Sequence, residues 1–216
     1  PNGSGKSTPL RLLAGLLAPD RGQALLDARP PASIAPAERA RLLAYLPQQP
    51  EVALPYPVRR VVAFGRLARD GSEVHPSIAA ALEAVDLADR ASEPVGQRQR
   101  AALARCLAQL GWPNVEGATL LADEPTAALA PAHALAVLSI FRRLAASGGS
   151  VVAAMHDLTA ARRVADDAVL LDSAGRVAAA GPAAEVLTSS VLAPVFSTSF
   201  AQVDLGPCVA PALVPI

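Results

Sequence analysis

Six consecutive residues near the start, Gly3-Ser4-Gly5-Lys6-Ser7-Thr8, have the types and order that hold phosphate. They fit the second half of the pattern G-x-x-x-x-G-K-[ST]. The glycines let successive backbone N–H groups point inward at an anion, and a helix beginning there adds its positive end. Lys6 is the only lysine in a chain that otherwise uses arginine as its cation. A compact ammonium fits between phosphate oxygens where a planar guanidinium fits poorly. Asn2 to Thr8 are therefore candidate phosphate-binding residues, with Lys6 reaching the outer phosphates and the Ser7 hydroxyl available to Mg²⁺. Asp123 and Glu124 follow the apolar run Thr119-Leu120-Leu121-Ala122, so both acids fall at the end of an expected buried strand. Ligands of open α/β sheets bind at such ends. Asp123 could hold Mg²⁺ and Glu124 could polarise a water. The same pair could equally be a solvated helix cap. His156 ends the run Ser150 to Met155 and could contact a terminal phosphate, or serve as a structural hydrogen-bonder. Gln48 could bind Mg²⁺ and water through its amide oxygen, or occupy an ordinary turn.

Elements must position these groups, and composition bounds what they build. The 216 residues suffice for one α/β domain with a small helical insert. Aromatic residues make up only 3%, so the core must be made of Leu, Val and Ala. Formal net charge is zero, which gives no electrostatic reason to propose nucleic acid as a partner. Cys106 and Cys208 lie far apart without metal spacing, as in a reduced chain. No apolar run is long enough to span a bilayer, and no signal peptide is visible. Because the chain begins inside a motif, an additional N-terminal piece is expected before Pro1.

The pattern predicts helices over 10–17, 37–43, 58–67, 76–85, 98–110, 131–146 and 160–165, and another opening at Gly181-Pro182. Strands are expected at 24–27, 45–46, 118–122 and 150–155. Val169 to Leu171 and Val177 to Ala179 flank Ser173-Ala174-Gly175 as a hairpin. The segment from Pro207, with three prolines, is expected to be irregular. Alternating helices and strands indicate an α/β fold with mostly parallel strands.

Four motifs in this order resemble those of ATP-binding cassette (ABC) transporter ATPases, over nearly the whole chain. Pro1 to Thr8 resembles the Walker A loop, Tyr45-Leu46-Pro47-Gln48 the Q-loop, Leu120 to Thr126 the Walker B segment, and Met155-His156-Asp157-Leu158 the switch histidine. The resemblance implies a P-loop NTPase sheet with a helical subdomain over about residues 53–117, and a C-terminal tail over about 189–216, in a single ATPase domain spanning 1–216. It implies ATP and Mg²⁺ as ligands, with Ser7, Gln48 and Asp123 near the metal and Glu124, His156 and Lys6 in catalysis. Arg41 to Gln48, Val61 to Arg66, Pro131-Ala132-His133 and Gly181 to Thr188 look like importers of ferric siderophores, haem and cobalamin. In that subfamily the ATPase pairs with a second copy beneath two transmembrane permease subunits. A periplasmic binding protein delivers the substrate, and the ATPase lies peripherally on the cytoplasmic face of the inner membrane. The chain departs from the family at its signature, where Glu93-Pro94-Val95-Gly96-Gln97 replaces Leu-Ser-Gly-Gly-Glu, and at Ala130, where an aspartate is usual. The family's leading strand, and the aromatic that stacks on adenine, are expected before Pro1. Two further readings follow from these departures and from the fold: a degenerate, weakly active partner subunit, and an ABC ATPase outside transport.

Overall fold

The computed structural model describes residues 5–50, 56–93, 97–127, 129–203 and 211–216. Two compact units divide the chain, Thr8–Ala154 and Pro1–Ser7 with Met155–Ile216.

The larger unit is built on a parallel sheet. After helix α1 (Ser7–Leu13) and helix α2 (Pro36–Leu42) comes strand β1 (Leu43–Leu46). Three helices follow: α3 (Val58–Arg69), α4 (Pro76–Ala84) and α5 (Arg98–Leu110). Strand β2 (Thr119–Asp123), helix α6 (Pro131–Ala146) and strand β3 (Ser150–Ala154) complete it. The strand order is β1-β2-β3, all parallel, with Leu46 opposite Ala122 and Asp123 opposite Ala154. Parallel sheets need cover on both faces, so their strands read as continuous apolar runs. Leu43 and Leu121 lie on one face with Leu10 of α1 and Ala14 just beyond its end, and Tyr45 packs against this cluster. Ala44, Leu46, Leu120 and Ala122 alternate to the other face and are almost fully buried.

Helix α5 packs against both β1 and β2. Gln109 Nε2 ties it to the α2–β1 junction by donating to the carbonyls of Ala40 (3.1 Å) and Leu43 (2.8 Å). Helix α3 crosses α5 closely enough that a Cβ on Gly65 would stand 2.2 Å from the Arg105 carbonyl oxygen. Arg66 and Arg69 of α3 donate to the carbonyls of Ala108, Gln109 and Leu110 at the end of α5, where intrahelical donors run out.

The smaller unit has its own core of Leu170, Ala183, Val186, Leu187, Leu192 and Leu213. It contains helix α7 (Leu158–Val164), strands β4 (Asp167–Leu171) and β5 (Val177–Pro182), helices α8 (Ala183–Val186) and α9 (Ser189–Phe196), and strands β6 (Phe200–Val203) and β7 (Ala212–Pro215). The expected hairpin is present as the antiparallel pair β4–β5.

Two sequence expectations are corrected. Residues 24–27 form no strand: the only pairing there is a bridge between Leu26 and Arg29, because Asp27 and Ala28 take positive φ values of 49° and 60° and close a tight turn. The C-terminal segment is not irregular throughout, since β7 pairs antiparallel with β6. Pro215 is tolerated at the end of this two-stranded edge, where one ladder donor can be spared.

Candidate functional site

Gly5 has φ +74°, a left-handed conformation that costs a glycine little, and it turns the chain directly into α1. Lys6 is partly buried just ahead of the helix, and Ser7 is its first residue. Pro9 falls in the first turn, where its missing N–H breaks no intrahelical bond. Leu10 anchors the helix to the sheet through Leu43 and Leu121. Asn2, Gly3 and Ser4 lie outside the described residues.

The carboxyl ends of β1 and β2 bring four polar side chains together, those of Tyr45, Gln48, Asp123 and Glu124. Asp123 is the last residue of β2 and only 2% exposed. Its Oδ2 accepts from the Tyr45 hydroxyl at 3.4 Å, and its Oδ1 is buried without a protein partner. Glu124 follows with φ +45°, which no β-carbon favours. Its N–H still donates to Ala154 of β3 (2.9 Å), and its carbonyl accepts from Ala127 (3.0 Å). This left-handed step turns the chain out of the sheet and directs the carboxylate to Gln48, whose Nε2 donates to Glu124 Oε2 at 3.0 Å. Gln48 is exposed and Glu124 partly buried. The sequence places Asp123 and Glu124 at the end of one strand and Gln48 just after another; the structure makes these strands neighbours and joins Gln48 to Glu124 directly. Tyr45 is expected in a strand and in the segment that resembles the Q-loop, with no role of its own; its contact with Asp123 comes from the β1–β2 pairing.

In the smaller unit His156 is exposed, and Asp157 caps α7 by accepting from the Ala160 N–H at 2.9 Å. At the head of α5, Arg100 is buried and donates to the carbonyls of Val85 (3.0 Å) and Asp86 (3.1 Å) beyond the end of α4. The segment from Pro94 to Gly96, where the signature departs from the family, and Ala128 lie outside the described residues. Ala130 begins α6 with extended φ/ψ and offers no side-chain cap.

A buried carboxylate is stable only with partners. One well-hidden oxygen of Asp123 lacks a protein donor, and oxygen donors such as the Asp123 carboxylate and the Gln48 amide are of the kind that suits Mg²⁺. The chemistry of these strand-end side chains fits that ion.

The ABC transporter family model matches residues 1–127, a span that includes the phosphate loop and both strand-end acids. The chain belongs to the ABC transporter family. The hemin import ATP-binding protein HmuV of Pseudomonas putida is 44% identical over 91% of this chain and 79% of its own length. The protein of that name from Rhizobium meliloti is 40% identical over 91% and 78%. Among solved structures, one described as an inward-facing metal-chelate type ABC transporter is 26% identical, with a TM-score of 0.78 over 100% of this chain and 84% of that one. As a member of the ABC transporter family, the chain is an ATP-binding and ATP-hydrolysing subunit of a transport machine. Among the described residues no helix is long and apolar enough to cross a membrane.

Proposed function

We propose that this chain powers hemin import, by hydrolysing ATP at a site made from Lys6, Ser7, Gln48, Asp123, Glu124 and His156. The observation that carries the site reading is the cluster at the strand ends. There a buried, incompletely partnered Asp123 adjoins Glu124, which is held by Gln48. Residues 2–8 cradle the phosphates through N–H groups and the α1 N-terminus. Lys6 takes up charge on the transferred phosphoryl group. Ser7, Gln48 and Asp123 would hold Mg²⁺, which when bound neutralises charge on the outer phosphate oxygens. Glu124 orients the attacking water and accepts its proton, and His156 contacts the terminal phosphate. Phosphoryl transfer needs positioning and charge stabilisation more than covalent chemistry, and these groups supply both.

The names of the Pseudomonas putida and Rhizobium meliloti relatives support hemin over other metal chelates as the cargo. In this reading the chain pairs with a second copy and docks on two permease subunits at the cytoplasmic face of the plasma membrane. A periplasmic binding protein supplies hemin. The Glu124→Gln variant tests the catalytic reading. ATP binding should persist while the hydrolysis rate falls by about 10²-fold or more, and an unchanged rate would remove Glu124 from catalysis. Growth of a strain lacking this gene tests the cargo, with hemin, cobalamin or a ferric siderophore offered separately. Loss of use confined to hemin is expected, and loss confined to either of the others overturns the assignment.

A further inference from the structure

We infer that Tyr45 is a positioning residue for Asp123, holding its carboxylate so that the second oxygen is presented to Mg²⁺. This rests on the reading of Asp123 as the metal-side carboxylate. With Tyr45 opposite Leu121, Asp123 lies two residues further along β2. Tyr45 and Asp123 therefore occupy one face as diagonal neighbours, within reach of a long aromatic side chain. The ring is held by the apolar cluster of Leu10, Leu43 and Leu121, on the face covered by α1. Asp123 has a soft terminal torsion that packing alone fixes poorly. The Tyr45 hydroxyl supplies the missing constraint, donating to Oδ2 at 3.4 Å while Oδ1 remains buried and without a protein donor. The distance is long for an O–H···O contact, and such bonds shorten when the charged ligand arrives. A phenol is also a fitting donor here. It stabilises the carboxylate without adding a competing positive charge beside the metal.

Tyr45→Phe removes the hydroxyl and keeps the ring that packs under α1. The test uses a fluorescent ATP analogue bound to the full chain. Affinity is measured without metal and then as Mg²⁺ is titrated, with Mn²⁺ binding followed by electron paramagnetic resonance. Tyr45→Phe should bind the metal-free nucleotide like the parent, yet need about ten-fold more Mg²⁺ for half-maximal enhancement. The Mn²⁺ affinity should weaken in parallel. Asp123→Asn is the reference, and it should lose the metal-dependent enhancement altogether. If Asp123→Asn loses it and Tyr45→Phe does not, the positioning role is overturned while the metal reading stands. Weakened metal-free binding in Tyr45→Phe would also overturn it, by assigning Tyr45 to packing. Should Asp123→Asn respond to Mg²⁺ like the parent, the metal reading itself fails.

Discussion

Glu124 combines chemistry with backbone strain. A glutamate at φ +45° costs about 1 kcal/mol relative to a right-handed conformation, and glycine escapes that cost. Glu124→Gly should therefore leave stability to urea unchanged or raise it by up to about 1 kcal/mol, while hydrolysis is lost. A clear fall in the urea midpoint would show that the carboxylate's bond to Gln48 outweighs the strain. Cys106 illustrates the opposite kind of residue. Burial pushes its thiol up to about 11, so at pH 8 roughly one molecule in a thousand is thiolate. Alkylation read on the Cys106 peptide by mass spectrometry should be negligible in the native chain and rapid once urea unfolds it. The sign for stability follows. The unfolded thiol ionises first, so this contribution is intact below about pH 8.5 and is lost as pH rises toward 11. At this scale the sequence singled out its candidates by type and position: a lone lysine in a glycine-rich loop and paired acids after an apolar run, with Gln48 added by its place in a motif. The Tyr45–Asp123 contact was not legible there, because it depends on the β1–β2 register, which no local pattern specifies.

Elements were legible where the chain carries its own punctuation. Helices α2, α4 and α6 each begin with proline in the first position, and α5 and α6 stop at Gly111 and just before Gly148-Gly149. The segment at residues 24–27 misled because its apolar residues are too few to outvote the turn at Asp27 and Ala28. Two substitutions test how the elements are held. Gly65→Ala adds helix propensity worth about 1 kcal/mol, but drives a methyl into the Arg105 carbonyl. Backbone cannot yield as a side-chain tip does, so a net loss of about 1–3 kcal/mol is expected in urea denaturation. A gain would mean that α3 and α5 separate freely. Ala130→Asp works in the other direction. Ala130 already has extended φ/ψ at the head of α6, and the first turn of that helix holds no acid. A carboxylate there would accept from an unpaired N–H and oppose the helix dipole, raising stability by about 1 kcal/mol. An unchanged midpoint would show that the head of α6 is already satisfied by other means.

For the whole molecule, nucleotide binding is a linkage between sequence-distant parts. Lys6, Asp123 and Glu124 are proposed to act on one nucleotide. A ligand that binds only the folded chain adds its binding energy to the stability of the fold. A non-hydrolysable ATP analogue with Mg²⁺, at one hundred times its dissociation constant, should raise the unfolding free energy by about 2.7 kcal/mol. The gain should appear in Trp112 fluorescence, which reports the larger unit from a buried indole stacked beneath Arg143. Lys6→Ala should abolish the gain. Removing Mg²⁺ with a chelator should diminish it, because Asp123 then faces the phosphates as an uncompensated charge. If Lys6→Ala leaves the gain unchanged, Lys6 is not a phosphate ligand, and the site must be rebuilt around the ends of β1 and β2 alone.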